Sequence, residues 1–293
     1  RYLNLRNKYD FYIIDGDWAM AGAVNNKPNL WYVHSPMREI WDLYGYLRKN
    51  VVPTPLLPFF DAWVFYNRFL NKKYAKKVDL FACNSNNTKE RLRKFLDKDA
   101  AVIYPPVETK NFYYLKNGNF WLSVNRLLPP KRIELQIKAF AKMPEKKLII
   151  VGSYEKSKNF LKHAAYIKSI KPKNVEIVSW INNKELLNLY ANCKAFITTS
   201  LDEDFGMTAV EAMASGKPAI APNEGGYKES ITSETGMLIN DIDENKIIDA
   251  VEKIENEIKN NPEKLRNSCQ KRAGLFDTQI FIKKIKAVVE NEG

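Results

Sequence analysis

The strongest constraint in this chain is a rhythm. Short apolar runs recur between longer segments whose apolar residues fall at helical spacing. Such a run suits a strand buried on both faces, and strands separated by helices pair in parallel. The runs predict strands at 11–14, 30–33, 80–83 and 101–104, with helices at 39–48 and 88–96. Pro105-Pro106 then interrupts the pattern, and the polar stretch 108–119 reads as a linker. Beyond it the rhythm is more regular. Strands are expected at 120–124, 147–151, 175–178, 195–199, 218–221 and 236–239, with helices at 132–142, 158–170, 183–192, 208–214 and 244–260. At 278–290, Ile282, Ile285 and Val289 give an amphipathic closing helix. A length of 293 residues suits two domains. The expected division is 1–115, 116–275 and a closing helix over 276–293. The expected fold class is α/β with doubly wound sheets, whose ligands sit at the carboxyl ends of the strands.

Composition removes several classes. Fifteen Phe, 15 Tyr and six Trp must be buried somewhere, which excludes disorder. No apolar stretch is long enough for a membrane-spanning helix. Cys83, Cys193 and Cys269 are odd in number and far apart, so a disulfide framework and a zinc cluster are both poor readings. A reducing, cytoplasmic compartment is expected, the more so because residues 1–6 lack an apolar signal-like core.

The net charge of +12 is uneven: residues 1–107 carry 17 basic and 10 acidic side chains, the rest 29 and 24. Within the more basic first part, residues 51–77 place Phe59, Phe60, Trp63, Phe65, Tyr66 and Phe69 before Arg68, Lys72, Lys73, Lys76 and Lys77. The plainer reading is a core helix with a solvated basic end. The alternative is a peripheral contact with the inner face of the cell membrane.

Four segments could carry chemistry. Glu203-Asp204-Phe205-Gly206-Met207-Thr208 joins a predicted strand to a predicted helix that contains Glu211. Free amides at that helix start, with a glycine for close approach, suit an anion. Carboxylates beside an anion seat suit a ligand that also carries hydroxyls. Capping of the helix by Glu203 and Asp204 explains the same residues equally well. Arg126 and Lys131 flank a Pro-stiffened loop after the first strand of the second domain, where both can reach one phosphate. Gly225-Gly226 permits close backbone contact with a ligand, or a plain tight turn. His34 ends the strand at 30–33, whereas His163 falls inside a polar helix and is set aside. The chain has no P-loop, no G-x-G-x-x-G, no G-x-S-x-G and no H-E-x-x-H. No Asp pair or His/Cys cluster proposes a metal site.

Together these residues resemble the retaining glycosyltransferases of family 4, which have the GT-B fold of two Rossmann-like domains facing a cleft. EDFGMTAVEAMASGKPAIA carries Glu203 and Glu211 with seven residues between them. VNRLLPPKRIELQIKAF is similar to the family's phosphate-clamp segment, and WYVHSPMREIWD to its first-domain histidine segment. ACNSNNTKERLRKF and VIYPPVETKNF resemble the approach to its interdomain linker.

The resemblance implies that Arg126 and Lys131 hold a donor diphosphate, with backbone N–H groups offered by Gly206 and Met207 in the Phe205–Thr208 turn. It implies that Glu203 meets hydroxyls of the donor sugar, Glu211 the ribose, and that His34 stands near the transferred sugar. It implies a nucleotide-sugar co-substrate, GDP- or UDP-linked, with no other cofactor and no metal. The HSPMREIWD segment is similar to members that add mannose to lipid-linked glycans, so GDP-mannose is the expected donor. The expected acceptor is a glycan or a lipid-linked glycan.

Two departures stand out. The first domain would be an acceptor-side domain truncated at its N-terminus, so poor turnover with retained nucleotide binding through 120–275 is expected. Ser179-Trp180 also stands where the family commonly has a glycine near the base. The competing readings are a fragment that binds nucleotide without catalysis, and a basic nucleic-acid binder. The second lacks any recognition-module signature, so no nucleic-acid partner is expected.

Overall fold

The computed structural model describes residues 4–5, 8–152, 158–179 and 181–290. The chain forms two compact units, one of Arg1–Tyr104 with Phe281–Gly293 and the other of Pro105–Ile280.

The first unit holds a four-stranded parallel sheet, β1 (Tyr12–Asp15), β2 (Asn29–Val33), β3 (Leu80–Cys83) and β4 (Ala101–Val102), in that spatial order. Its helices are α1 (Tyr44–Asn50), α2 (Leu57–Ala75) and α3 (Asn86–Leu96). Central β2 is buried at every position, which is why it reads as a continuous apolar run. Helix α3 starts where Ser85 Oγ accepts from the Thr88 amide at 3.0 Å. Strand β4 ends before the expected 101–104 run does, as Pro105 and Pro106 have no N–H for a ladder. Helix α1 starts at Tyr44, later than the expected 39.

The second unit holds β5 (Phe120–Val124), β6 (Lys147–Val151), β7 (Val175–Val178), β8 (Ala195–Ile197), β9 (Ala219–Pro222) and β10 (Gly236–Ile239). All six pair in parallel in the order β10-β9-β8-β5-β6-β7. The chain therefore runs outward from β5 to β7 and returns on the other side of β5 as β8. In open α/β sheets ligands bind where such a reversal occurs, here at the carboxyl ends of β5 and β8.

Helices α4 (Ile133–Ala141), α5 (Lys158–Ser169), α6 (Asn183–Asn192), α7 (Met207–Ala214), α8 (Tyr227–Ser230), α9 (Glu244–Asn260) and α10 (Pro262–Gly274) cover the two faces. Successive strand residues alternate between the two cores. Trp121, Leu148, Ile150 and Ile197 pack in the cluster that includes Phe140 and Val251, whereas Leu122, Ile149 and Phe196 pack in the one with Tyr190 and Ala209. Each fully buried side chain of this size contributes about 1.5–3 kcal/mol. Helix α10 was not expected. It buries only Leu265, Cys269 and Ala273, and its strongest local signal is Pro262 in the first turn.

The boundary between the units lies earlier than the expected 115/116 because the intervening stretch bonds to the second unit. Val107 pairs with the 276–278 stretch, through its N–H to Phe276 O at 2.9 Å and its carbonyl from the Thr278 N–H at 3.2 Å. Leu115 donates to Ala191 O at 3.1 Å. The closing helix α11 (Thr278–Glu290) packs Phe281, Ile285 and Val288 against Leu30, Tyr32, Ala82 and Ile103 of the first sheet. Its apolar stripe is rotated from the expected one, leaving Ile282 exposed.

Candidate functional site

Three loops meet at the carboxyl ends of the adjacent strands β5, β8 and β9, and a polar lattice binds them together. Leu128 is extended, as a residue before proline must be, and Pro129–Lys131 forms a single tight turn. Pro130 O accepts from the Leu201 N–H at 2.8 Å, which ties the first loop to the second. The buried Thr199 hydroxyl lies 2.7 Å from Lys131 O and 3.0 Å from Arg132 O, and it accepts from Gln136 Nε2 at 2.9 Å.

Arg132 completes the lattice. Its guanidinium donates to Thr199 O at 2.7 Å and grips both oxygens of Glu224, at 3.2 and 3.1 Å. Glu224 also accepts from the Asp202 N–H at 3.2 Å. Neither Arg132 nor Glu224 was singled out from the sequence. Their partnership spans 92 positions, and only the Lys131-Arg132 doublet hinted at it.

The lattice brings Lys131 and Glu203 together. Lys131 Nζ lies 2.5 Å from Glu203 Oε2, with both side chains mostly shielded from solvent. The cation expected to hold phosphate and the carboxylate expected to hold sugar hydroxyls thus neutralise each other. Arg126, in the same loop, is exposed.

Gly206 turns the chain into α7 with φ +85°, and a Cβ there would come within 2.2 Å of the Tyr227 ring. Tyr227 is wedged beneath this turn, with its hydroxyl 3.0 Å from Thr198 Oγ1. Burial holds the Tyr227 phenol far above its ordinary range, so it stays neutral. Phe205 is buried, Met207 is exposed and Thr208 is half-buried. The first-turn amides of α7, those of Met207 and Thr208 among them, lie outside the helical ladder and present the positive end of the helix dipole.

One turn further on, Glu211 Oε2 accepts from the Tyr190 hydroxyl at 2.7 Å. Burial raises the Glu211 carboxyl above the ordinary range, against the lowering effect of that hydrogen bond. Glu203 and Glu211 therefore share a motif but not an environment: one is ion-paired, the other half-buried beside a phenol.

Gly225 and Gly226 pack closely on the loop that carries Glu203. A Cβ on Gly225 would lie 2.3 Å from Glu203 O, and one on Gly226 2.4 Å from Asp204 O. The Gly226 N–H donates to Glu203 O at 2.8 Å. The space that the missing side chains leave is filled by the backbone of 202–205, so these glycines seat the Glu203 loop.

In the first unit, His34 follows β2 and its Nε2 lies 2.7 Å from Asp15 Oδ1 at the end of neighbouring β1. Asp15 was passed over in the sequence, although Asp15-Gly16-Asp17 and Asp202-Glu203-Asp204 both have the Asp-x-Asp spacing. Among the described residues, no cluster of three or more His, Cys, Asp or Glu side chains is arranged to hold a metal ion. Trp180, half of the Ser179-Trp180 departure, lies outside the described residues. A cavity of about 680 Å³ opens at the amino end of the second sheet, lined by Asn119, Asn188 and Asn192 among others. None of the expected site residues lines it.

Residues 109–274 match the family described as glycosyl transferases group 1. An uncharacterized glycosyltransferase of Methanocaldococcus jannaschii is 30% identical over 257 residues, an alignment covering 85% of this chain and 70% of that protein. The alpha-1,3/1,6-mannosyltransferase ALG2 of Saccharomyces cerevisiae is 26% identical over 250 residues. That alignment covers 70% of this chain and about half, 48%, of the yeast protein. Among solved structures, Anabaena HepE in complex with UDP and glucose superposes with a TM-score of 0.75 at 18% identity, covering 97% of this chain and 78% of that one. The shared architecture is the GT-B fold, with a Rossmann-like domain around each parallel sheet.

Proposed function

The chain belongs to the glycosyl transferases group 1 and is a glycosyltransferase; within that family we propose that it moves mannose from GDP-mannose to a glycan or lipid-linked glycan. In this reading it acts with retention of configuration and without a metal ion. The mannose assignment draws on the mannosyltransferase relative, and the nucleotide-sugar donor on the UDP and glucose held by HepE. The single observation that carries the reading is the Lys131–Glu203 pair at the β5/β8 reversal, beside the amino terminus of α7.

Each partner of that pair has a second role when a donor arrives. The diphosphate takes over the Lys131 ammonium, joined by Arg126 and by the first-turn amides of α7. Glu203, released, accepts hydrogen bonds from hydroxyls of the donor sugar. Glu211 takes the ribose with the carboxylate oxygen that Tyr190 leaves available. Cleavage of the sugar–phosphate bond builds negative charge on the leaving diphosphate and oxocarbenium character on the sugar. Fixed cations and a helix dipole stabilise that charge where it develops. Attack on the same face, with the leaving phosphate taking the acceptor proton, preserves the configuration. His34 is assigned to the transfer step, with Asp15 orienting its ring.

The test is transfer of radiolabelled sugar from GDP-mannose, UDP-glucose and ADP-glucose to a lipid-linked glycan, with and without chelator. Chelator-resistant mannose transfer with an α-linked product supports the reading. Exclusive use of a uridine donor, or a product of inverted configuration, overturns it.

A further inference from the structure

Helix α2 is apolar on both sides. Its buried positions are Val64, Asn67, Asn71 and Ala75, so half of its inner stripe is amide. Its outer arc carries Phe59, Trp63, Phe65, Tyr66 and Phe69, with Phe59 75% and Phe65 77% exposed. The orientation is pinned from inside. Trp41 Nε1 donates to Asn71 Oδ1 at 3.1 Å, Arg68 donates to Ile40 O at 2.7 Å, and the Arg68 guanidinium stacks over Trp41 and Tyr44. The aromatic residues on the opposite side are therefore held outward. Val64, Ala75, Phe60 and Tyr74 still pack in the core of the first unit, and Lys72, Lys73, Lys76 and Lys77 are exposed, as the plainer expectation of a core helix with a solvated basic end has it; the outward rings are what that expectation leaves unexplained.

The charge on the same arc is of one sign. Asp61 is the helix's only acid, and it is held by Arg48 and the Tyr44 hydroxyl. Past the aromatic residues, Lys72 and Lys73 are exposed on the last turn, and Lys76 and Lys77 follow at once. At 100° per residue, Phe59, Tyr66, Phe69, Lys73 and Lys77 fall within one half of the helix circumference. Ring-bearing residues, two of them with a polar tip, followed by lysines, with the helix's one carboxylate engaged by Arg48 and Tyr44, match the boundary of an anionic bilayer. Rings enter at headgroup level there, and ammonium groups meet phosphate. A protein surface would be expected to be met with charges of both signs. No helix among the described residues is long and apolar enough to cross a membrane, so contact through α2 would be peripheral.

We propose that the outer arc of α2 is a docking surface for anionic phospholipid membranes. The proposal is independent of donor chemistry, and its test uses no donor. The whole chain is sedimented with vesicles of phosphatidylcholine alone or of equimolar phosphatidylcholine and phosphatidylglycerol. Binding is expected only to the anionic vesicles and should weaken as salt rises to about 0.5 M, where screening shortens to a few ångströms. Lys72→Gln and Lys73→Gln should each lower the binding constant about fivefold. Phe65→Ser with Phe69→Ser should lower it about tenfold or more. Both phenylalanines are exposed, so an unchanged circular dichroism spectrum and melting curve will verify that the fold is kept. Equal binding to neutral vesicles, absence of binding, or indifference to all four substitutions overturns the proposal. So does self-association that Phe65→Ser abolishes in a protein that ignores vesicles.

Discussion

Two lysines at opposite ends of the second sheet are held in opposite ways, although Lys146 and Lys194 at the amino end also share a carboxylate, that of Glu255. At the carboxyl end, Lys131 is paired with Glu203 and Arg132 with Glu224, and the loops that carry them are cross-bonded. At the amino end, just before β9, Lys217 is fully buried, with no carboxylate bonded to it among the described residues. Its ammonium donates to Lys116 O at 2.5 Å and lies 4.1 Å from the centre of the Tyr114 ring. Burial pushes its pKa down to about 8. The thiols of Cys193 and Cys269, which influence it, are themselves pushed up to about 12 by burial and stay neutral at pH 7. A paired lysine can exchange its carboxylate for a phosphate. The unpaired, buried one has no such exchange to make, and it costs stability.

The largest effect should come from dismantling the Lys131–Glu203 pair. Lys131→Ala removes a charged contact worth about 1.5–3 kcal/mol, a ten- to hundredfold loss in nucleoside-diphosphate affinity by calorimetry, with little change in melting temperature. If the loss appears in stability and not in binding, Lys131 is scaffolding. Arg132→Ala should do the reverse. It leaves Glu224 unpaired and the Thr199 carbonyl without a donor, and chemical denaturation should show a loss of about 2 kcal/mol.

At the amino end the effect is one of pH. The Lys217 pKa falls from 10.5 to about 8 on folding, so between those values the unfolded chain holds more protons than the folded one. Stability contributed by this group therefore rises as pH rises through that window. Lys217→Met should raise stability at pH 7 by about 1–2 kcal/mol, after allowing for the lost carbonyl bond. The advantage should fade by pH 10.5, and unfolding curves at pH 7, 9 and 10.5 will show whether it does. The smallest expected change is at Tyr190→Phe. It removes one hydrogen bond to Glu211 and should weaken nucleotide binding by about 1 kcal/mol. The corresponding diphosphate without its nucleoside should bind the variant and the parent alike.

Much of this organisation was legible in the sequence because it is local. Strands such as β5 and β6 announce themselves as apolar runs, and the turn into α7 by a glycine before an alanine-rich helix. What was hidden is mostly non-local. Nothing near Arg132 indicates that Glu224 will meet it, and Gly225 and Gly226 look alike whether a ligand or the Glu203 backbone fills the space. Asp15 gains meaning only when β1 pairs with β2. Helix α10 is too polar to show a stripe. For the rings of α2 the sequence left core packing and a peripheral membrane contact both open, and only packing shows Phe60 turned inward, Phe59 and Phe65 outward, and Asn67 and Asn71 buried.

The central claim is that a diphosphate seat exists at one end of this sheet and not at the other. It is tested most directly by calorimetric titration of GDP and UDP into the parent protein, Lys131→Ala and Lys217→Met. The account predicts at least a tenfold loss of affinity for Lys131→Ala and parental affinity for Lys217→Met. Parental affinity in Lys131→Ala, or a comparable loss in Lys217→Met, would contradict it.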